Sequence, residues 1–162
     1  MLRISKLADY GTVVMTYMGG SPQRVLSAQE ISLAIGLELP TVSKILKMLA
    51  REKLLLSQRG VRGGYLLARP AADISVAEII DAMESRPRGL TECCSVAGLC
   101  RHEPVCEVRA NWQRISQMVH EVLQGIRLTE LSRPPERLPE TNIEAGAVHR
   151  HTHALHPVRT ER

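Results

Sequence analysis

A chain of 162 residues with a formal net charge of +4 fits one domain with an appendage and is short for a two-lobed enzyme. One Trp, three Tyr and no Phe require an aliphatic core and exclude the aromatic platforms on which single-strand and RNA binders stack bases. No apolar run approaches the roughly 20 residues that span a bilayer, and the amphipathic start with Arg3, Lys6 and Asp9 is unlike a signal peptide, so a cytoplasmic location is expected.

Residues 5 to 18 place Leu7, Tyr10, Val14 and Tyr17 or Met18 on one stripe, closed by Gly19 and Gly20, which predicts a helix. After a polar connection through Pro22, Ser27 with Glu30 forms a capping box in which each side chain satisfies the other's free backbone N–H. The helix it opens should bury Ile31, Ala34 and Ile35 and break at Gly36. Pro40 suits the first turn of a third helix, where no N–H is required, running to about Leu49 or beyond. Val42, Ile45, Leu46 and Leu49 then face inward, which leaves Thr41, Ser43, Lys44, Lys47, Met48 and Arg51 outside. Two helices around a glycine turn make a helix-turn-helix, and hydroxyls and cations occupy the face that would meet a major groove.

Leu54 to Arg59 and Tyr65 to Arg69 read as two strands joined by Gly60-Val61-Arg62-Gly63-Gly64. This is a wing, and Arg59 and Arg62 project from it toward the minor groove of duplex DNA. Between 40 and 69, Lys44, Lys47, Arg51, Lys53, Arg59, Arg62 and Arg69 face the single acid Glu52, a local excess of six positive charges. The rest of the chain is therefore net negative by two. A basic face of this kind neutralises phosphates and releases their counterions.

A second capping box, Ser75 with Glu78, starts a helix carrying Val76, Ile79, Ile80 and Met83, which Pro87 and Gly89 end. From Glu107 to about Leu131, a helix about 37 Å long places Val108, Trp112, Ile115, Val119, Val122 and Ile126 at heptad steps. A seam of that length is more than a small core asks for and predicts a homodimer. Beyond Ser132, Pro134, Pro135, Pro139, Pro157 and four histidines leave no periodic apolar face, so disorder is expected there. The expected fold is mainly α with a small β wing: a winged helix-turn-helix DNA-binding domain over 1–86, a cysteine loop over 87–107, a dimerisation helix over 108–132 and a tail over 133–162.

The spacing Cys94-x5-Cys100-x5-Cys106 puts three thiolates on one loop, with Gly98 easing the chain and Pro104 turning it. Soft thiolates suit zinc or iron-sulfur clusters, and the short knuckles usual in structural zinc sites are absent. Three cysteines leave a cluster one ligand short, so a non-cysteine group must complete it, which makes the cluster easier to lose. A zinc site using His102 and reduced, unligated thiols are the competing readings. Adjacency of Cys93 to Cys94 makes it awkward for both to bind one centre.

With these features in place, nearly all of residues 1 to 132 resembles the IscR and NsrR family of bacterial winged-helix regulators. The resemblance rests on the start "MLRISKLADYG", the helix-turn-helix "AQEISLAIGLELPTVSKILKMLAREKLL", the wing "RGVRGGYLLAR", the helix "ISVAEIIDAME" and the cysteine triplet. Within the family the chain looks most like regulators of sulfur-mobilisation (SUF) cluster-assembly genes. The resemblance implies a homodimeric repressor crossing through its long helices, with a 2Fe-2S or 4Fe-4S cluster on Cys94, Cys100 and Cys106. The IscR branch takes its fourth ligand from a histidine three residues after the last cysteine, where this chain has Arg109. In the nitric-oxide-sensing branch an aspartate of the partner's first helix serves, and Asp9 stands at the matching place, with His102 and Glu107 as alternatives. For DNA, the resemblance maps reading contacts onto Thr41, Ser43, Lys44 and Lys47 and minor-groove contact onto Arg59. The rival functions are a winged-helix repressor responding to nitric oxide or oxidants through its cluster, one using a zinc or thiol site, and a cysteine hydrolase or small redox protein. For an enzyme, no nucleophile motif, phosphate-cradling loop or acid-base pair is present.

Overall fold

The computed structural model describes residues 4–60, 63–84, 89–91, 98, 100–101 and 105–132. Helix α1 (Lys6–Gly19) opens at Ser5, whose hydroxyl accepts the Ala8 N–H at 3.1 Å. Helix α2 (Ala28–Ile35) opens on the expected capping box: Glu30 accepts the Ser27 N–H at 2.8 Å, and Ser27 Oγ accepts the Glu30 N–H at 3.2 Å. Gly36, at φ 69°, ends it in the left-handed conformation that only glycine adopts without strain. Helix α3 (Leu39–Arg51) carries Pro40 in its first turn and buries Val42, Ile45, Leu46 and Leu49, as the spacing predicts.

The end of α3 turns sharply. The Leu54 N–H reaches back to the Leu49 carbonyl at 2.9 Å and the Lys53 N–H to the Ala50 carbonyl at 3.1 Å, the double closure of a Schellman motif. The chain then enters β1 (Leu55–Gln58), which pairs antiparallel with β2 (Gly64–Leu67), Leu55 opposite Leu67 and Gln58 opposite Gly64. On its other edge β2 meets the segment before α2: the Leu26 N–H donates to the Tyr65 carbonyl at 2.9 Å, and the Tyr65 N–H donates to the Leu26 carbonyl at 2.8 Å. Gly64 permits this approach, since a Cβ there would lie 2.5 Å from the Leu26 carbonyl oxygen.

A single 3-10 turn (Ala71–Asp73) leads to α4 (Val76–Met83), again opened by a complete capping box, Ser75 with Glu78. Helix α4 lies against α1 and α3, and one aliphatic core joins α1 through α4 with the wing strands. The stripe that α1 buries is rotated from the expected one: Ala8, Gly11, Val14, Met15 and Met18 are inside, while Tyr17 is exposed. Small residues allow the helices to touch, for a Cβ on Gly11 would sit 2.6 Å from Met83 Cγ. On α2, Ile31 is buried, but Ala34, expected inside, is exposed.

The long helix is shorter than its periodicity implies. Helix α5 spans Arg109–Gly125, and Ile126 then adopts an extended conformation at φ −85°, ψ 124°. The Ile126 carbonyl accepts the Val76 N–H at 3.0 Å, and the Leu128 N–H donates to the Ile74 carbonyl at 2.9 Å, so the chain is clamped to the start of α4. A last short helix, α6 (Leu128–Leu131), packs on α1. Leu128 is fully buried in the winged core, a burial of about 1.5–3 kcal/mol that favours return over continuation of the helix. Helix α5 lies on α4 through its half-buried side, which includes Ser116, His120 and Leu123. The opposite side exposes Val108, Trp112, Ile115, Met118 and Val122. No helix of the described residues is long and apolar enough to cross a membrane. The expected tail over 133–162 lies outside the described residues.

Candidate nucleic-acid interface

The outer face of α3 is built by subtraction: once four aliphatic side chains are committed to the core, the polar ones have nowhere to go but out. Thr41 and Ser43 are half-buried at its base, and Lys44 and Lys47 stand exposed. Pro40, Ser43, Lys44, Lys47, Met48 and Arg51 line a shallow open depression along this face. At the wing, Arg59 is exposed beside Gly60, whose φ of 118° and carbonyl bond from the Gly63 N–H at 2.9 Å make a tight turn. A Cβ on Gly63 would fall 2.5 Å from the Gln58 carbonyl oxygen, so the turn closes only with glycine there. Arg62 lies outside the described residues.

Pairing divides the basic tract. Arg69 is turned inward onto Glu78, a half-buried pair that also takes in Ser75. Burial pushes the Glu78 carboxyl up, but the hydrogen bonds from the Ser75 N–H, Arg69 and the Ser75 hydroxyl outweigh it and hold the group below its ordinary value. Arg51 meets Glu52 at 3.1 Å, an exposed pair that water screens and a phosphate can replace. Lys44, Lys47, Lys53 and Arg59 have no carboxylate within ion-pair distance among the described residues. These four cations form the uncompensated part of the surface, and phosphates are what such a surface attracts. Lys53 counted in the basic tract but was not among the residues expected to contact DNA, because only its backbone conformation distinguishes it.

On the segment between α4 and α5, Cys100 and Cys106 are half-buried free thiols. The Cys106 carbonyl accepts the Arg109 N–H at 3.4 Å, which joins the third cysteine to the start of α5. Cys94 and His102 lie outside the described residues. Asp9 and Glu107 are both exposed, and no three His, Cys, Asp or Glu among the described residues gather closely enough to hold a metal ion. Within one chain, therefore, Asp9 does not join Cys100 and Cys106 in a metal-binding group. What the described residues do offer is two free, soft sulfur donors on the segment that leads into α5.

Three similarities bear on this arrangement, beside a match of residues 4–134 to the model of the Rrf2 family, described as iron-dependent transcriptional regulators. ORF2 of Azotobacter vinelandii, named as an HTH-type transcriptional regulator, is 38% identical over 131 residues, 80% of this chain and 79% of the relative. The HTH-type transcriptional regulator IscR of Cronobacter sakazakii is 30% identical over 154 residues, 94% of each chain. The solved structure of CymR, the global cysteine regulator of B. subtilis, superposes with a TM-score of 0.63 at 27% identity, covering 82% of this chain and 97% of CymR. Relatives of this kind regulate transcription and are not enzymes, in keeping with the expectation from sequence. A winged helix-turn-helix with an open cationic face, matched over residues 4–134, thus makes this chain a DNA-binding transcriptional regulator of the Rrf2 family.

Proposed function

We propose that the chain is a cytoplasmic homodimeric repressor of iron-sulfur assembly genes that reads cluster status through its own cluster. The observation that carries this reading is the placement of two reduced thiols, Cys100 and Cys106, between the helix packed on the winged core and the helix with an uncovered apolar side. Cys94 completes the thiolate set, and Asp9 of the partner chain supplies the fourth ligand, which accords with its exposed position on α1. This donor set suits an iron-sulfur cluster by softness, and such a group, when bound, supplies oxidant-labile iron. The protein's own contribution is orientation. Segment 84–108 links α4 to α5, so its conformation bears on the angle between the winged unit and the dimer axis.

DNA half-sites lie about 34 Å apart, and only a narrow range of that angle lets both α3 helices reach them. Thr41, Ser43, Lys44 and Lys47 enter the major groove, and Arg59 and Arg62 enter the minor groove beside it. Similarity to IscR over nearly the whole chain supports the cluster; likeness to CymR, a global cysteine regulator, keeps open a second reading in which the thiols act without one, alone or with zinc. The visible spectrum of protein purified without air decides between them. Absorption near about 400 nm marks the cluster, and a colourless protein with bound zinc or bare thiols overturns it. Equal affinity of holo and apo forms for a duplex selected from a randomised pool removes the sensing role.

A further inference from the structure

Lys53 is the one described residue other than glycine with a positive φ, at 59°. It occupies the C′ slot of the Schellman turn that closes α3, and this is the slot where a side chain meets the most steric resistance and glycine is preferred. The chain itself follows that preference after α2, where Gly36 takes the left-handed position at φ 69°. After α3 it does not. The turn cannot relax to spare the lysine, because the residues it brackets, Leu49 and Leu54, are 0% and 3% exposed in the core.

The Lys53 side chain is exposed, with no carboxylate within ion-pair distance among the described residues and no hydrogen bond from its ammonium. The core burial of Leu49 and Leu54 fixes the backbone, but among the described residues no contact of the lysine side chain offsets the strain that glycine would avoid. Helix α3 has 13 residues, about 20 Å at 1.5 Å per residue, whereas a major groove is about 12 Å wide. A helix laid across the groove therefore carries its last turn to the phosphates of the far wall. Lys44, Lys47 and Arg51 mark the outer face that leads there, and Lys53 follows them.

We propose that Lys53 is a phosphate-binding residue, held in a strained backbone position so that an ammonium stands at the junction of α3 and the wing. Strain that the fold retains without an internal partner is the pattern of a functional position. The proposal rests on the assignment of α3 to the major groove and adds a contact that its charge alone does not reveal.

The test compares Lys53→Gly, Lys53→Asn and Lys53→Arg with wild type, using thermal unfolding and binding to a labelled duplex selected from a randomised pool by the wild-type protein. Lys53→Gly should raise the melting temperature by about 2–4 °C. It should also weaken binding about threefold to tenfold near 0.15 M salt and flatten the log K against log salt slope by about 0.9 per bound protomer. Lys53→Asn should lose the same slope, since asparagine tolerates the backbone but carries no charge, and Lys53→Arg should keep it. A lower melting temperature in Lys53→Gly means the cation serves the helix terminus, and an unchanged slope means it is merely solvated; either overturns the proposal. Lys44→Ala measured alongside separates this from the wider reading: if it too leaves binding unchanged, the assignment of α3 fails rather than that of Lys53.

Discussion

Replacing Gly64 with alanine tests whether the wing is fixed by backbone contact with the segment before α2. The new Cβ would stand 2.5 Å from the Leu26 carbonyl oxygen, 2.7 Å from its carbon and 3.1 Å from the Ser27 nitrogen. All are backbone atoms, so no side chain can rotate away. Ordinary contact begins at 3.4 Å, so β2 must retreat by about 0.9 Å from Leu26. The reciprocal bonds between Leu26 and Tyr65, at 2.8 and 2.9 Å, would then stretch past the roughly 3.2 Å of a sound hydrogen bond. Two net hydrogen bonds at about 0.5–1.5 kcal/mol each, with some added desolvation of a carbonyl beside the fully buried Leu26 side chain, give about 2–4 kcal/mol. Urea unfolding should show this as a lower midpoint with an unchanged slope, and DNA binding should weaken because Arg59 shifts with the strand. An alanine variant within about 0.5 kcal/mol of wild type would show that β2 slides freely and that the Leu26 bridge contributes nothing.

The uncovered side of α5 gives a second expectation: Val122→Asp, at a position 66% exposed in the single chain, should leave the protomer folded but dissociate the dimer, since an unpaired buried charge costs several kcal/mol. Sedimentation of wild type as a monomer would remove that argument. Lys44→Ala should weaken binding to all duplexes and flatten the salt slope, whereas Arg59→Ala should chiefly reduce sequence preference; competition assays with selected and random duplexes distinguish the two. Glu78→Gln should destabilise by about 1–2 kcal/mol at neutral pH by weakening the bonds from Ser75 and Arg69. Because the folded carboxyl titrates below its ordinary value of 4.5, wild type's advantage is complete above pH 4.5 and disappears as pH falls through the lower folded value. A difference that persists unchanged into strong acid would refute the assignment. Cys100→Ser and Cys106→Ser should each abolish the visible absorption of protein purified without air, while Cys93→Ser retains most of it.

Local chemistry was the legible part of this chain. Ser27 with Glu30, Ser75 with Glu78, Gly36 and Pro40 each determine their surroundings within four residues, and all four act where the spacing places them. What the sequence hid depends on partners far along the chain. The N-terminal half of the buried face of α1 is carried by Ala8 and Gly11, weakly hydrophobic residues whose value lies in letting α4 approach, so the larger Leu7 and Tyr10 dominated the periodicity there. Ile126 continues the heptad steps, yet its backbone is claimed by Val76, fifty positions earlier. Lys53 carries no turn signature at all, and its left-handed backbone follows from Leu49 and Leu54 both needing the core. The cysteine spacing was plain, but spacing alone names no fourth ligand, and Asp9 stands almost a hundred positions before Cys106.

The clamp at the base of α5 has a consequence for how such a regulator can change. Backbone bonds from Val76 to Ile126 and from Leu128 to Ile74 tie the foot of α5 to α4, so in a dimer formed along Trp112, Ile115 and Val122 the winged unit follows every rotation of that helix. Substitutions along the stripe would then retune the length of spacer DNA tolerated between half-sites without touching a residue that reads a base. Substitutions on α3 would alter the preferred letters and leave the spacer as it was. Spacing and spelling thus become separately heritable traits, and two copies of this fold could diverge to share half-sites while answering to different promoters.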